Sequence, residues 1–299
     1  MIETTSIAEQ PFDRVAGDYD ATFTASRLGR WLREAVWEWL EASFQPGDHV
    51  LELGCGTGED AVWLAQGGVQ VLATDASPAM LEVAQRKAEA IGVAEQLSFA
   101  QLDLLDIGYW VLDIKAPSQH ATPNTQYLIP NTQYPIPNIQ YPISNFDGAY
   151  SNFGALNCVP DRRPIAEVLA QWVRPGGRVV LVVMGPLCPW EVVWHLAHGE
   201  AWTAFRRFRS GIEAHAGENA TVRVWYPSPR RLRAEFAPHF RHLETAGIGA
   251  LLPPSYLSHL VDRWPRLFER LAMLDRRLGR VFPWTWLNDH YLSVFERVP

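Results

Sequence analysis

The stretch VLELGCGTGED, Val50–Asp60, decides the fold. An apolar run carrying Glu52 breaks into Gly54, Gly56 and Gly58 just before helix-forming sequence. It reads as a strand, a tight turn and a helix start, which together form one wall of a nucleotide-type pocket. A glycine lacks a Cβ, so the backbone can bend sharply there or a ligand can approach the main chain. The helix that follows aims its unpaired N–H groups at that ligand.

The neighbouring segments extend this reading. Val69 to Thr74 is a second β-branched, apolar run and ends on Asp75, and Leu97 to Leu102 is a third, ending on Asp103. A carboxylate at the end of the second strand accepts both hydroxyls of a ribose and repels a phosphate at the same place. The glycine spacing is G-x-G-x-G rather than the G-x-G-x-x-G of dinucleotide folds, and Glu52 stands two residues before the first glycine. Its charge would repel a bare pyrophosphate but favour an ammonium or a sulfonium. The pocket therefore suits a ligand with a ribose, an adenine and a cationic amino-acid end.

Five segments carry a family resemblance: ELGCGTG (52–58), TDASPAML (74–81), QLDLLD (101–106), FDGAYSNFGALNCV (146–159) and VRPGGRVVLVV (173–183). In this order they resemble the class I S-adenosylmethionine-dependent methyltransferases. The opening FDRVAGDYD, Phe12 to Asp20, is similar to the start of the ubiquinone and menaquinone methyltransferase group. The resemblance implies an α/β fold with a Rossmann-like doubly wound sheet, mostly parallel with an antiparallel last strand, plus a helical lid subdomain. Its cofactor would be S-adenosyl-L-methionine. Carried over to this chain, Glu52, Gly54, Gly56 and Gly58 would line the methionine part, Asp75 would hold the ribose, and Asp103 would accept the adenine amino group beside the Leu104 backbone. Tyr19 and the Ser151-Asn152 pair would close the pocket near the methyl group, with Cys55, Ala76 and Met80 completing the cofactor set. Tyr19 could instead staple the N-terminal helix, Asn152 could be a turn residue, and Cys55 reads better as a small buried filler than as a nucleophile.

Strand and helix alternate along the chain, which by itself gives a parallel sheet with helices on both faces. Residues 1–45 form an N-terminal helical segment over the cofactor site, with apolar positions from Leu28 to Leu40 at helical spacing. Residues 46–185 form the cofactor-binding core, interrupted by a low-complexity insertion at about 108–145 whose Asn124 to Ser144 is three copies of a seven-residue unit. Proline in every copy forbids a continuous helix there, and deleting the repeat is expected to leave cofactor affinity nearly unchanged. Residues 186–238 form a tryptophan-rich lid over the acceptor. Residues 239–299 supply the last strands of the core, with an inserted amphipathic stretch, Ser255 to Arg280, expected to pack on the lid rather than rest on a membrane, and either kinked at Pro265 or divided there into two shorter helices.

Charge and composition narrow the partners. The net charge is −7, which argues against a nucleic-acid enzyme. From Pro186 onward lie 15 of the 26 basic but 11 of the 33 acidic residues, a balance of +4 against −11 for the rest. No run of about 18 apolar residues is present, so stable membrane insertion is not expected. The polar, acidic first residues do not read as a signal peptide. Three cysteines form neither a disulfide framework nor a metal-ligand spacing, so no metal is expected and a reducing cytoplasm is the simplest location. A monomer or homodimer acting on a small-molecule acceptor follows.

Methyl transfer from a sulfonium is an in-line displacement that mainly needs alignment and exclusion of water. A proton must still leave the acceptor, which makes the histidines candidates for a general base. His195 stands four residues after Glu191, on one helix face, and His290 follows Asp289, a pair that could instead anchor the fold. The stretch Ser151-Asn152-Phe153-Gly154 stands where enzymes methylating planar amino nitrogens carry Asn-Pro-Pro-Tyr or Asp-Pro-Pro-Tyr. Its absence points to O- or C-methylation of a quinone, phenolic or lipid-like acceptor. Two rival readings are an NAD(P)-dependent oxidoreductase on a similar core and a non-catalytic methyltransferase-like partner subunit.

Overall fold

The computed structural model describes residues 10–108, 145–215 and 221–299. The heptapeptide repeat and nearly all of the expected insertion lie outside these residues. Five parallel strands form the core of one seven-stranded sheet: β1 (His49–Leu53), β2 (Gln70–Asp75), β3 (Leu97–Gln101), β4 (Phe146–Ser151) and β5 (Val173–Met184). The last two strands of the sheet are β8 (Phe240–Ile248) and β9 (His290–Arg297), and β9 runs antiparallel to both β5 and β8. The order is β3-β2-β1-β4-β5-β9-β8, so the chain winds one way from β1 to β3 and the other way from β4. A crevice opens where the winding reverses, above the C-terminal ends of β1 and β4, and this is where ligands bind in such sheets.

Helices cover both faces because each supplies an apolar stripe. On one face lie α1 (Arg27–Ser43), α2 (Glu59–Gln66) and α3 (Pro78–Ile91). The Ser26 hydroxyl caps α1 by accepting from Gly29 N at 3.0 Å, and Ser77 caps α3 ahead of Pro78. Leu28, Leu32, Val36 and Leu40 of α1 are buried in the core, each contributing roughly 1.5–3 kcal/mol. The opposite face is covered by α4 (Arg163–Trp172) and α7 (Pro229–Phe236), locked by Arg162, whose Nε and Nη2 donate to Glu235 at 2.6 and 2.9 Å.

The lid departs from the helical expectation. It holds two short helices, α5 (Pro189–Ala197) and α6 (Ala201–Ala204), and then a β-hairpin of β6 (Ile212–His215) and β7 (Thr221–Val224). Alternating residues such as Ile212 and Ala214 give the period of two that the sequence reading passed over. The Ser255 to Arg280 stretch is divided at Pro265 into α8 (Ser258–Arg263) and α9 (Pro265–Leu278), since proline cannot donate to the preceding turn. Among the described residues, no helix is long and apolar enough to cross a membrane.

Candidate active site

The three glycines do different work. All lie at positive φ, +73°, +52° and +73° for Gly54, Gly56 and Gly58, where a side chain would strain the backbone. A Cβ on Gly58 would come within 2.7 Å of the Ala84 Cβ, and one on Gly54 would collide with Ala155, so these two close the packing of α3 and of the turn after β4. A Cβ on Gly56 would meet nothing within 4 Å, because this residue borders a cavity of about 530 Å³. Gly54 borders the same cavity; Gly58 does not.

Asp75 sits on the cavity wall at the end of β2. Its Oδ2 accepts from Gly56 N at 2.8 Å and its Oδ1 from Ser77 N at 2.9 Å, which holds the glycine turn and leaves each oxygen a further lone pair. Burial raises its carboxyl above the ordinary value, and those backbone amides work against the rise. Glu52 is fully buried behind the turn rather than on the cavity wall, and its Oε2 has no hydrogen-bond partner. Burial, then repulsion from Asp60, raises its carboxyl well above the ordinary range. An orphaned acid beside a turn with open space in front of Gly56 fits a ligand that brings a positive charge. The donor set therefore agrees with an S-adenosylmethionine site.

The N-terminal residues strap this half of the cavity. Ser77 Oγ donates to Asp13 Oδ1 at 2.5 Å, Thr57 Oγ1 donates to Asp20 Oδ1 at 2.6 Å, and Lys87 bridges Asp20 and Glu59 at 2.7 Å each. Phe12, Tyr19 and Phe23 are thereby held on the wall, with the Tyr19 phenol raised by burial. Met80 also lines the cavity.

Other expected contacts fall elsewhere. Ser151 Oγ donates to Leu53 O at 2.8 Å, and Asn152 Nδ2 donates to Asp60 Oδ2 at 2.8 Å, so both are committed to the protein behind the wall. Asn152 is the turn residue: its Oδ1 accepts from Phe153 N at 2.9 Å and holds Phe153 at φ +41°, a costly conformation for a non-glycine residue. Phe153 and Gly154 form the wall in their place. The thiol of Cys55 is buried and pushed well up by burial, then by Glu52 and Asp75, which makes it a filler. Ala76, Asp103 and Leu104 lie outside the lining; Ala76 O accepts from Gln101 Nε2 at 3.0 Å, and Asp103 Oδ1 accepts from Leu105 N at 2.9 Å.

Beyond Phe153 the cavity continues under the lid, between Met184, Tyr226, Tyr256 and the hairpin residues Ala214, His215 and Val222. His290 lines this half, edge-on to Phe153 at 5.3 Å, with Nδ1 3.1 Å from Asp289 Oδ2. Burial opposes ionisation of Asp289, yet His290 and Arg207 hold it well below the usual carboxylate range. His195 does not reach the cavity wall. Nor does Glu191 orient it: Glu191 is bound by Arg206 Nε at 2.7 Å and Arg207 Nη2 at 2.9 Å, because an arginine pair compensates a buried carboxylate better than a neutral ring does. Instead His195 Nδ1 lies 2.6 Å from Glu200 Oε2, and its Nε2 lies 3.2 Å from the Tyr256 hydroxyl. Among the described residues, no group of three or more His, Cys, Asp or Glu side chains converges as a metal site.

Known proteins agree with this geometry. Residues 50–111 match the family described as a methyltransferase domain. Over that stretch the chain is similar to S-adenosylmethionine-dependent methyltransferases, and among them it resembles the quinone methyltransferases. It is 32% identical over 114 residues to the demethylmenaquinone methyltransferase of Symbiobacterium thermophilum, an alignment covering 36% of this chain and 44% of that one. To the ubiquinone/menaquinone biosynthesis C-methyltransferase UbiE of Acidiphilium cryptum it is 41% identical over 98 residues, 31% and 37% of the two chains. It therefore matches less than half the length of these curated relatives. The CcbJ methyltransferase from Streptomyces caelestis superposes with a TM-score of 0.55 at 15% identity, over 97% of this chain and 99% of that one, which is a likeness of fold.

Proposed function

We propose that the protein transfers the methyl group of S-adenosylmethionine to an oxygen or carbon of a flat, largely apolar small molecule, a quinone or phenolic ring or a lipid-like analogue. The observation that carries this reading is one cavity with two unlike halves meeting at Phe153. The strap, Gly56 and Asp75 frame one half, while Met184, Tyr226 and Tyr256 frame the other beside His290. Phe153, Tyr226 and Tyr256 supply aromatic faces for a planar acceptor, while Arg206, Arg207 and His290 on the same wall offer it polar contacts. Bound S-adenosylmethionine would supply an electrophilic methyl group on a cationic sulfur. Asp75 would accept the ribose hydroxyls on its free lone pairs, and Glu52 would offset the positive charge from behind the turn.

The chain's own contribution is then alignment, exclusion of water and custody of one proton. His290 is the candidate base on the wall, with Nδ1 3.1 Å from Asp289 Oδ2. His195 can serve the cavity only through the Tyr256 hydroxyl. The reading places the enzyme in a reducing cytoplasm, in keeping with three free cysteines, and acting without nucleic acid, as a monomer or homodimer.

Calorimetry tests the reading first. S-adenosylhomocysteine is expected to bind and NADH is not, and Asp75→Ala is expected to weaken binding by at least ~tenfold through lost charged hydrogen bonds. Incubation with labelled S-adenosylmethionine and small-molecule extracts then identifies the acceptor, and His290→Asn is expected to lower kcat by ~10²-fold or more with little change in KM. Absence of heat with S-adenosylhomocysteine, or tighter binding of NADH, would overturn the proposal. An intact cofactor site with no methyl transfer to any extract would favour the non-catalytic subunit instead.

A further inference from the structure

Helix α9 shows three rows along its length. The first, Phe268, Ala272 and Asp275, is buried, with Asp275 accepting from Gly249 N at 2.9 Å and Leu251 N at 2.7 Å. The second, Leu267, Leu271, Leu274 and Leu278, repeats at alternating spacings of four and three, as one face of a helix does. Nothing among the described residues covers it fully: Leu267 is 53% and Leu274 43% exposed, and the other two are half-buried. Trp264, one residue before the helix, is 49% exposed beneath Arg263, and Val281 and Phe282, just after it, are exposed too. The third row is Arg266, Arg270 and Arg277, all exposed. At ~100° per residue, the leucines occupy a band of about 60° between the core contact and the arginines.

We infer that this face of α9 docks on an anionic lipid surface, with the leucines at the acyl boundary and the arginines on the headgroup phosphates. An apolar row alone would fit a second copy of the chain equally well; the arginine row decides. In an antiparallel pairing of two copies across the leucines, the two arginine rows meet along one edge, while the exposed acid of α9, Glu269, lies on the far side of the row. A lipid surface offers the opposite charge along the whole edge. The net charge of −7 would repel such a surface, so the attraction is local and sensitive to salt. The position is also apt: Pro254, Ser255 and Tyr256 line the cavity and lead through the turn Ser255–Leu257 into α8 and α9. Docking would set the cavity beside the layer in which an apolar acceptor concentrates. The inference goes beyond the proposed methyl transfer and stands on its own surface.

Co-sedimentation of the full chain with vesicles tests it directly, using phosphatidylcholine alone and phosphatidylcholine with a quarter phosphatidylglycerol. The wild type is expected to sediment with the anionic vesicles, at least ~tenfold less with the neutral ones, and to be released at high salt. Leu267→Glu with Leu274→Glu is expected to abolish sedimentation, and Arg266→Glu with Arg270→Glu to abolish the preference for anionic lipid. These side chains are exposed, so unchanged circular dichroism and S-adenosylhomocysteine binding would show the variants folded. Failure of the wild type to sediment, or sedimentation of the double-leucine variant like wild type, would overturn the inference. So would a dimer abolished by the leucine variant without vesicle binding, which assigns the face to a second copy, or capture of polyglutamate without vesicle binding, which assigns it to an acidic protein. Vesicle binding does not require cofactor binding, so the two proposals fail separately.

Discussion

Glu52 is buried, partnerless on one oxygen, and forced toward its neutral form. A carboxyl whose pKa rises on folding contributes its full stability below the ordinary carboxylate pKa of about 4.3 and loses it as pH rises through the raised value. Asp75 is shifted in the same direction. Without ligand, the protein is expected to lose stability as pH rises above the ordinary carboxylate range, and Glu52→Gln to flatten that loss by on the order of 1 kcal/mol or more, read from urea midpoints at each pH. The same variant is expected to bind S-adenosylhomocysteine more weakly, since the counter-charge to the ligand's ammonium is gone. An unaltered pH slope would mean that Glu52 is already ionised in the empty fold. Cost without ligand and benefit with it is the trade-off that functional residues make.

Between elements, Arg207 is the joint. Its guanidinium binds Glu191 of α5 at 2.9 Å, Asp289 beside β9 at 2.6 Å, and the carbonyls of Gly185 and Asp289 at 3.2 and 3.0 Å. Arg207→Met removes one guanidinium from two buried carboxylates, Glu191 keeping Arg206 and Asp289 keeping His290 beside it, and is expected to cost about 3 kcal/mol, measured by denaturant unfolding. A cost under about 1 kcal/mol would show the lid to be anchored by packing instead. This joint was invisible in the sequence, where Arg207, Glu191 and Asp289 are separated by 16 and 82 residues. What was legible followed from local chemistry: β-branched runs, the glycine turn, and Ser-Pro helix starts gave β1, β2, α2 and α3 close to their true bounds, with Asp75 at the end of β2. Ser151 and Asn152 bond behind the wall because their partners, Leu53 and Asp60, are set by strand register and helix packing rather than by neighbours in the chain, and the turn alternative for Asn152 was open from the sequence. The β6–β7 pair of the lid leaves little trace in the sequence because its alternation spans only four residues in each strand.

Across the described residues, the crevice lies at the switch point of the seven-stranded sheet, with the β6–β7 pair over it, and binding there should stiffen what surrounds it. S-adenosylhomocysteine at ~100 times its Kd is expected to add about 2.7 kcal/mol of stability, seen as a raised Tm. If the strap closes over the ligand, proteolytic cleavage within residues 10–24 should slow in parallel, and Asp20→Asn should remove that protection while leaving the Tm of the free protein nearly unchanged. Equal cleavage with and without ligand would mean that the strap is shut regardless.

The Arg207 joint has a consequence for traffic. A lid riveted to the last strand by buried ions would act as a ceiling rather than a hatch for the cofactor. The strap is held by ties that solvent can reach, Asp20 to Thr57 and Lys87 among them. The nucleoside and the spent product would then share a doorway on the side of residues 12–23, and turnover would run at the pace of that threshold. Pinning it shut with a crosslink between positions 13 and 77 would imprison whatever lay inside.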